Sequence, residues 1–395
     1  MEPPNMNIKV IHNLPSWLPF TQNWIYQQIL CLPPWVDTHV VCERTENLHQ
    51  FDIPNIYCIN SKSHYMCLWD EYAIKILKTR PPLSLTTKIV KSLEGNLLHS
   101  HFGQIGYFNL HMAKSAKLRH IVNFYGYDVN RLPRKSKAWR ERLRVLLSEV
   151  DCVLCEGPHM AKSIVSLGCP ENKVRIHHLG VNVDKISFRP RKWHPSEELR
   201  VLIAATFTEK KGIPYALEAL GRLQSQVPIR ITIIGDARNE PEQIKEKKKI
   251  LATIEKYQMQ NKITMMGYQP LTTLHEEAYK HHIFLSPSIT SSLGDTEGGA
   301  PVTIIEMAAS GMPIVSTRHC DIPEVIKHPN SSFLANERDV EGLIKAFESL
   351  LEDYLNWPDL LDSARRHIEQ EYSVKTQAKR IAELYKTIAT PYYTR

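Results

Sequence analysis

The sequence predicts an α/β fold made of two doubly wound, Rossmann-like domains that face each other across a cleft. The chain has 395 residues, more than one ordinary hydrophobic core requires. Short β-branched runs alternate with helical stretches nearly throughout, which is typical of parallel sheets with crossover helices. The alternation stops in the charged, proline-containing stretch DKISFRPRKWHPSEEL and then restarts, which indicates a linker between two such domains.

We therefore expect an N-terminal domain over residues 1–183, a linker over 184–199 and a C-terminal domain over 200–372. The last helical stretch, residues 373–390, is expected to pack back on the N-terminal domain. In the first domain, the predicted strands are Ile8–Asn13, Thr38–Val41, Ile56–Asn60, Leu97–His101, His120–Phe124, Cys152–Glu156 and Val174–His177. Helices are predicted between them, among them Thr21–Leu30, Ile105–Ser115 and Ala138–Leu147.

The second domain repeats the same alternation of strand and helix. Its predicted strands are Val201–Ala205, Ile229–Ile234, Ile263–Met266, Ile283–Ser286 and Ile314–Ser316. Predicted helices follow Gly212 and cover Pro241–Tyr257, Val340–Leu351, Leu360–Glu371 and Val374–Ile388. Strands that are apolar at nearly every position indicate burial on both faces, as in parallel sheets.

Composition narrows the class of protein and its location. The chain is 43% hydrophobic and 23% charged, and no apolar run approaches the ~18 residues that span a bilayer. No basic region followed by an apolar stretch opens the sequence, so we expect a cytoplasmic protein. Of eight cysteines, Cys152 and Cys155 form a CxxC spacing, but its apolar context predicts a buried strand rather than a zinc knuckle.

The chain has a net charge of +7, and several of its basic residues cluster between Arg131 and Arg144. We favour a solvated helix face whose apolar positions, Leu143 and Val145, point inward. Docking to an acidic membrane surface is the alternative, and would place the protein peripherally on the inner face of the plasma membrane. No nucleic-acid-binding signature accompanies the stretch, so nucleic acid is not an expected partner.

The stretch from Gly294 to Gly311 carries most of the chemical information. Pro301 suits the first position of a helix and Gly311 its C-terminal cap, so free backbone amides after the glycine pair form a phosphate site. The carboxylates of Glu297 and Glu306 flank this site, and carboxylates suit neutral hydroxyls as charge-assisted acceptors. Phosphate with hydroxyl-binding groups on both sides predicts a nucleoside diphosphate sugar as ligand. A dinucleotide oxidoreductase is disfavoured, because no GxGxxG follows the first strand.

This stretch resembles the E-x7-E signature of glycosyltransferase family 4, whose members are retaining enzymes with the GT-B fold. The resemblance extends along the chain, through PSWLPFTQNWI near residue 20, HSHFG at 99–103, NFYGYD at 123–128, TFTEKKG at 206–212 and IGD at 234–236. It is similar in particular to bacterial enzymes that build exopolysaccharide or lipid-linked repeat units. The resemblance implies that the first domain binds the acceptor and the second the nucleotide-sugar donor.

By position, the resemblance implies that Glu297 holds donor-sugar hydroxyls, Glu306 holds the ribose, and Lys211 neutralises the departing diphosphate. The other implied donor-binding residues are Thr206, Lys210, Gly235, Gly267, Gly298, Gly299, Ala300, Pro301 and Val302. His101, Tyr125 and Asp128 are expected to face the acceptor and sugar as the catalytic group with Glu297, without one being assigned as general base.

The sequence departs from the family pattern in three places. Eight residues separate Glu297 from Glu306 instead of seven, so the first glutamate of the pattern falls on Gly298. Thr206 stands where the family has a phosphate-binding arginine, for which Lys210 is a candidate substitute. Tyr125 stands where many members have a histidine. A bulged loop at the first position would still let Glu297 reach the sugar.

The expected reaction is retaining transfer of a hexose from a nucleotide sugar, with UDP-glucose or another UDP-hexose first, to a saccharide or lipid-linked saccharide. No DxD-like motif is present, so neither a metal nor another cofactor is expected. A nucleotide-sugar epimerase or a sugar phosphorylase on the same fold is the alternative. A non-catalytic sugar-nucleotide sensor is the third hypothesis, disfavoured by the retained carboxylates and lysine.

Overall fold

The computed structural model describes residues 7–19, 22–61, 64–327 and 333–390. The chain divides into two compact units. The first unit comprises Met1–Gly180 with Ser373–Arg395, and the second comprises Val181–Tyr372. The α/β class predicted from the alternation of strands and helices is confirmed, since each unit contains a parallel sheet with helical connections.

The described part of the first unit contains a seven-stranded parallel sheet in the order β3-β2-β1-β4-β5-β6-β7. Its strands are β1 (Ile8–Trp17), β2 (Val36–Thr45), β3 (Ile56–Cys58), β4 (Leu97–His101), β5 (Arg119–Asn123), β6 (Cys152–Cys155) and β7 (Val174–Ile176). Its helices before residue 180 are α1 (Asn23–Leu30), α2 (His64–Tyr72), α3 (Leu85–Ser92), α4 (Gly103–Ser115), α5 (Leu132–Lys135), α6 (Lys137–Glu149) and α7 (Pro158–Ser166). Two π-helical turns cover Ala73–Leu77 and Tyr127–Arg131.

The first strand is longer than the sequence predicted. It was expected to end at Asn13, but it continues through Pro15 to Trp17. Its pairing with β4 stops at Asn13, and beyond that point only β2 pairs with it. Because proline is tolerated where a strand has a neighbour on one side only, Pro15 does not end the strand. Phe20 and Thr21, which belong to the predicted loop and helix here, lie outside the described residues.

The second unit contains a six-stranded parallel sheet in the order β10-β9-β8-β11-β12-β13, counted over the residues that the structure describes. Its strands are β8 (Leu199–Ala204), β9 (Ile229–Ile234), β10 (Ile263–Gly267), β11 (Ile283–Ser286), β12 (Ile314–Thr317) and β13 (Leu334–Ala335). Its helices are α8 (Ile213–Leu223), α9 (Pro241–Lys256), α10 (Leu271–Ala278), α11 (Val302–Ala309), α12 (Ile322–Val325), α13 (Val340–Glu352) and α14 (Trp357–Glu371).

The segment 184–199, predicted as a linker, lies within the second unit. Ile186 and Trp193 are buried in the hydrophobic clusters of that unit, and Phe188 packs against one of them. The chain passes between the units at Gly180–Val181 and again at Tyr372–Ser373. The apolar side chains of this otherwise charged segment therefore pack into the hydrophobic core of the second unit.

The last helix, α15 (Val374–Ala389), belongs to the first unit. Ile381, Ala382 and Tyr385 are buried in the same cluster as apolar residues of β1 and β4. The Tyr385 hydroxyl also lies 2.7 Å from His99 Nδ1 at the end of this cluster. The helix thus covers one face of the seven-stranded sheet.

The basic stretch lies on α5 and α6. Leu143 is buried as predicted, but the expectation that Val145 points inward was wrong, since its side chain is 48% exposed. The buried stripe of α6 runs instead through Leu143, Leu146 and Leu147, spaced by three and one residues. Cys152 and Cys155 are buried in β6, and Cys155 Sγ donates weakly to the Arg175 carbonyl at 3.6 Å. Among the described helices, none has the length and apolar character needed to cross a membrane.

Candidate functional site

Polar residues of the second unit gather at the carboxyl edge of its sheet. β8 and β11 are neighbours, although β9 and β10 lie between them in sequence and extend the sheet to the other side of β8. The order of strands therefore reverses between β8 and β11, where open α/β sheets bind ligands. The loops that follow these two strands, residues 205–212 and 287–301, meet at this point.

A lysine–glutamate pair joins the two loops. Lys211 Nζ lies 2.9 Å from the Glu297 carboxylate, and the Ser288 hydroxyl donates to the same carboxylate at 2.8 Å. The side chain of Glu297 is only 7% exposed. Burial raises its pKa, but Lys211, Lys210 and the hydrogen bonds outweigh burial and lower the pKa to about 2. Glu297 is therefore ionised at neutral pH, with an ammonium group held beside it.

Both lysines project from a single 3-10 turn, Glu209–Lys211, which Gly212 ends with φ +62°. A Cβ on Gly212 would lie 2.0 Å from the Pro287 carbonyl oxygen, so only glycine lets the two loops approach this closely. Lys210 Nζ donates to the Thr296 carbonyl at 2.9 Å, on the loop that bears Glu297. The turn thus fixes both ammonium groups against the loop after β11.

Thr206 lies at the start of the same loop and is half-buried. Its carbonyl accepts a hydrogen bond from the Thr208 amide at 2.8 Å. Lys210, the predicted substitute for the arginine of the family pattern, instead forms a 3.4 Å ion pair with Asp295. Lys211 is consequently the ammonium group placed beside Glu297.

The glycine-rich loop explains the altered spacing of the two glutamates. Gly298 has φ +83°, and its amide donates to the Thr296 hydroxyl at 3.1 Å. This left-handed residue takes up the extra position, so that Glu297 points at Lys211. Gly299, Ala300 and Pro301 follow, and α11 begins at Val302, one residue later than predicted. Gly311, with φ +79°, follows the helix as expected.

Glu306 lies on α11 and is buried. His275 of α10 lies beside it, with Nε2 3.7 Å from the carboxylate. His275 was not predicted as a site residue, since nothing near it in sequence distinguishes it. A buried carboxylate beside an imidazole is a strong hydrogen-bond acceptor for a ligand hydroxyl.

Gly235 and Gly267 end the neighbouring strands β9 and β10. The Gly235 amide donates to the Gly267 carbonyl at 2.7 Å, and Gly235 has φ +121°. A Cβ at Gly235 would lie 2.0 Å from the Ala205 carbonyl oxygen. The two glycines therefore allow the backbone to close over the end of β8, next to Thr206.

A histidine that sequence reasoning missed holds the Glu297 loop in place. The Glu297 amide donates to His319 Nε2 at 3.1 Å, which requires the proton of a neutral imidazole to be on Nδ1. That nitrogen lies 2.6 Å from Glu337, whose carboxylate also accepts from the Thr290 amide at 2.7 Å. His319 and Glu337 follow β12 and β13. A position just after a strand was the only feature of the sequence that could have identified these two residues.

In the first unit, three predicted residues come together at the carboxyl ends of β4 and β5. The Tyr125 hydroxyl lies 2.7 Å from His101 Nδ1. The Asp128 carboxylate accepts from the Gly103 amide at 2.8 Å and from the Tyr125 amide at 3.0 Å. Burial raises the pKa of Asp128 to about 6 against the opposing effect of these hydrogen bonds. Asp128 acts here by fixing the loop that presents Tyr125.

His101 is also the outer member of a buried histidine cluster that includes His12 and His99. One ring nitrogen from each lies within 4.8 Å of the other two, a separation that could accommodate a metal ion. However, the ring planes of His99 and His101 are stacked at 4.5 Å and 20°, so their lone pairs do not converge on one point. His12 Nδ1 lies 3.0 Å from His101 Nε2. We therefore interpret the cluster as a stack of hydrogen-bonded imidazoles.

Burial keeps these imidazoles neutral. It lowers the pKa of His12 to about 3, and together with the neighbouring imidazoles it lowers the pKa of His99 and His101 well below the usual value. His12 was missed in the sequence, although the register that places it beside His99 follows from parallel pairing of the first and fourth strands.

The fold is similar to that of solved glycosyltransferases over nearly its whole length. One is Alr3699/HepE of Anabaena in complex with UDP and glucose, with a TM-score of 0.73, 15% identity, and coverage of 96% of this chain and 100% of that chain. Another is sucrose-phosphate synthase of Thermosynechococcus elongatus, with a TM-score of 0.72, 13% identity, and coverage of 96% and 99%. The two Rossmann-like units thus give the chain the GT-B fold.

Family models locate the chain among the glycosyltransferases. Residues 184–384, just over half of the chain, match the family described as glycosyl transferases group 1, and residues 35–185 match glycosyltransferase family 4. The chain belongs to the group 1 glycosyltransferase family. The resemblance recognised in the sequence is therefore confirmed.

Curated relatives are similar over about three quarters of the chain. The putative colanic acid biosynthesis glycosyltransferase WcaL of Escherichia coli strain K12 is 28% identical over 313 residues, 76% of this chain and 73% of the relative. The amylovoran biosynthesis glycosyltransferase AmsK of Erwinia amylovora is 27% identical over 302 residues, 76% and 72% of the two chains.

Proposed function

We propose that this glycosyltransferase moves a hexose from a UDP-hexose, with UDP-glucose as first choice, to a saccharide or lipid-linked saccharide, with retention of anomeric configuration. The observation that carries the proposal is the partly buried Lys211–Glu297 pair at the reversal point of the six-stranded sheet. A fixed ammonium suits the charge that develops on a departing diphosphate. A fixed carboxylate beside it suits the neutral hydroxyls of the donor sugar.

The remaining donor groups have complementary roles. Glu306, buried on α11, accepts hydrogen bonds from the ribose hydroxyls, while the amides from Gly298 to Val302 receive the diphosphate. Four further residues complete the donor-binding set. Lys210 adds positive charge beside the loop after β11, while the backbone of Thr206, Gly235 and Gly267 shapes the neighbouring loops.

The proposed mechanism is attack of the acceptor hydroxyl on the face from which the diphosphate leaves. The sugar–phosphate C–O bond breaks, the acceptor oxygen bonds to the anomeric carbon, and a diphosphate oxygen takes the acceptor's proton. Lys211 stabilises the charge on the leaving group, while Tyr125, whose hydroxyl His101 positions, binds a neutral hydroxyl group. We propose that Lys211 and the backbone amides supply this stabilisation without a divalent cation.

The relatives support a biological role in polysaccharide assembly. WcaL and AmsK are named for colanic acid and amylovoran biosynthesis, and HepE is named with UDP and glucose. We propose that the chain likewise acts in assembly of an exopolysaccharide, in the cytoplasm, on a UDP-linked donor.

Thermal unfolding with UDP, GDP, ADP, NAD and the common UDP-sugars tests the donor. A ligand at about 100 times its dissociation constant adds about 2.7 kcal/mol, which raises the midpoint clearly. We expect a selective rise with uridine nucleotides that EDTA leaves unchanged and that Glu306→Ala removes. Exposed Glu255→Ala serves as the matched control. A response to NAD alone, or to no nucleotide, would overturn the proposal.

Donor hydrolysis tests the reaction without knowledge of the acceptor. The anomer released from UDP-glucose, followed by proton NMR before mutarotation, is expected to be α if configuration is retained. Release of the β anomer would contradict retention. Accumulation of an isomerised UDP-sugar, or a requirement for inorganic phosphate, would favour an epimerase or a phosphorylase instead.

We propose peripheral contact between the first unit and anionic membranes. Exposed basic residues of α5 and α6 support this, among them Arg134, Lys137 and Arg140. Exposed apolar side chains such as Trp69 and Ile76 add surface of the kind that enters lipid headgroups. Charge reversal at the three basic residues should weaken co-sedimentation with anionic vesicles, and unchanged binding would remove the idea.

A further inference from the structure

A basic pocket lies in the second unit, away from the donor loops. It has a volume of about 330 Å³ and is lined by Arg189, Arg191, Lys192, Arg200, Tyr279 and His282, among others. Arg200 is near the start of β8, and the amide of His282, just before β11, donates to the Arg200 carbonyl. The pocket is therefore at the amino edge of the sheet, opposite the edge that carries Lys211 and Glu297.

Arg191 forms the rigid floor of this pocket. Its guanidinium is buried and donates to the carbonyls of Ala278 and His281 and to both oxygens of Ser310. All these acceptors are neutral, so they fix the group without neutralising it. Burial, and then Arg189, lower its pKa to about 10 although Tyr279 raises it, and the group stays charged at neutral pH.

Arg189 is held beside it by a shared aromatic ring. The guanidinium carbons of Arg189 and Arg191 lie 4.8 and 4.7 Å from the centre of the Tyr279 ring. The Tyr279 hydroxyl in turn donates to the Ser187 carbonyl at 2.7 Å, which anchors the ring. Two guanidinium groups are thus held close together despite their like charge.

The cations of the pocket lack acidic partners. Within the described residues, no carboxylate forms an ion pair with Arg189, Arg191, Lys192 or Arg200, and none lines the pocket. The nearby Glu277 is paired with Lys280 at 2.7 Å. Four positive charges around one small concavity repel one another, and a bound anion would relieve that repulsion.

His282 and Lys280 hold the Arg200 side chain beside the pocket. The Arg200 amide donates to His282 Nδ1 at 3.1 Å. Arg200 Nη2 lies 2.7 Å from His282 Nε2, and Arg200 Nε donates to the Lys280 carbonyl at 2.6 Å. These uncharged partners fix the Arg200 guanidinium without neutralising its charge.

We propose that this pocket binds a phosphate group. Guanidinium forks match phosphate oxygens in pairs, and the ammonium group of Lys192 adds a further donor for a dianion. The group could be carried by a free phosphate or by the headgroup of an anionic lipid, since both present the same oxygens. The site is separate from the proposed donor site and does not depend on the proposed function.

Calorimetric titration with inorganic phosphate and pyrophosphate, at constant ionic strength in a chloride buffer, tests the free source. We expect saturable binding that weakens at least tenfold in Arg189→Gln and in Arg200→Gln. Arg230→Gln is the matched control, because that exposed arginine pairs with Glu198 on the same sheet edge. Glu306→Ala should leave phosphate binding intact while removing the nucleotide response, which separates this site from the donor site.

Co-sedimentation with phosphatidylcholine vesicles, with and without phosphatidic acid, tests the lipid source. Binding that requires phosphatidic acid and is lost in Arg200→Gln would assign the pocket to a lipid headgroup. The thermal midpoint of Arg200→Gln is measured alongside, and a value close to that of the wild type excludes misfolding as the cause of lost binding. If phosphate, pyrophosphate and vesicles bind equally to wild type and both variants, the proposal is wrong.

Discussion

In the second unit, the carboxyl edge of the sheet presents ionised, paired groups: Glu297 with a pKa lowered to about 2, held against Lys211. In the first unit, the equivalent edge presents uncharged groups, which are the buried imidazoles and the Tyr125 hydroxyl, beside a single carboxyl, Asp128, whose pKa burial raises to about 6. Both sheets reverse their strand order there, so topology does not explain the contrast. The two units thus show that the same sheet topology can carry either a charged or a largely neutral site. The deciding factor is whether the loops at the sheet edge supply a counter-ion, as Lys211 does for Glu297.

The largest effect we expect is loss of the first unit in mild acid. Burial lowers the pKa of His12 and His177 to about 3 and that of His120 to about 4. The unfolded chain therefore binds more protons than the folded chain between those values and about 6.5, so stability falls as pH falls through this window. At pH 4, His12 and His177 each lower the free energy of unfolding by an amount on the order of 3 kcal/mol. That is a large share of the stability of an ordinary domain.

Hydrogen exchange across pH 7 to 4, corrected for intrinsic rates, measures this loss separately in the two units. Amides of β4 should lose protection at a higher pH than amides of β11. His177→Gln, which can keep the contact with Gln28, should move the transition to lower pH, whereas exposed His194→Gln should not. Loss of protection at the same pH in both units would contradict the proposed difference in acid sensitivity between them.

Removal of the ammonium group from the charged site should give the next largest effect. Lys211→Met leaves the buried Glu297 carboxylate without its main counter-ion and the leaving diphosphate without a fixed cation. By analogy with the loss of one electrostatic stabilising group, kcat for donor hydrolysis should fall about 10²–10³-fold. Lys327→Met, at an exposed ion pair with Glu324 in the same unit, is the matched control and should leave kcat unchanged. A fall below threefold in Lys211→Met would sink the assigned role.

Asp128 tests the neutral site. Its pKa is raised from 3.8 to about 6, so the folded state holds the proton more tightly than the unfolded state. Its contribution to stability is fully present below pH 4 and is lost as pH rises through 6, by about 3 kcal/mol. The buried histidines make stability rise with pH, which is the opposite trend. The difference in unfolding free energy between the wild type and Asp128→Asn therefore isolates the contribution of Asp128. Urea unfolding from pH 4 to 7 should show that difference falling with pH, and a flat difference would refute the raised pKa.

Much of the fold was predictable because buried parallel strands are marked by continuous apolar runs. The bounds of Leu97–His101, Ile229–Ile234 and Ile283–Ser286 agree with the structure residue for residue. The two-residue strand β13 was missed, because so short a pairing leaves no periodic signal. Val145 was misplaced because the helical stripe could be drawn with two registers.

The candidate site was predictable where a residue belongs to a local motif. Lys211 and Glu297 lie 86 residues apart, yet each has a glycine-rich context that identified it. His12, His275 and His319 were missed, because each acts through a partner that is distant in sequence and that only the fold brings near. Pairings across strands depend on register, which the sequence motif of one loop does not contain.

The smallest effect should come from the histidine that supports the charged site without contacting the donor. His319 accepts from the Glu297 amide and donates to Glu337, so His319→Ala frees the loop while leaving the Lys211–Glu297 pair intact. A looser carboxylate should lower kcat about tenfold, equivalent to about 1.4 kcal/mol, with KM for the donor nearly unchanged. His319→Gln, which can both accept and donate, should recover part of kcat. A rise in KM without a fall in kcat would instead indicate that His319 contacts the donor, and an equal loss in both variants would show a general folding defect.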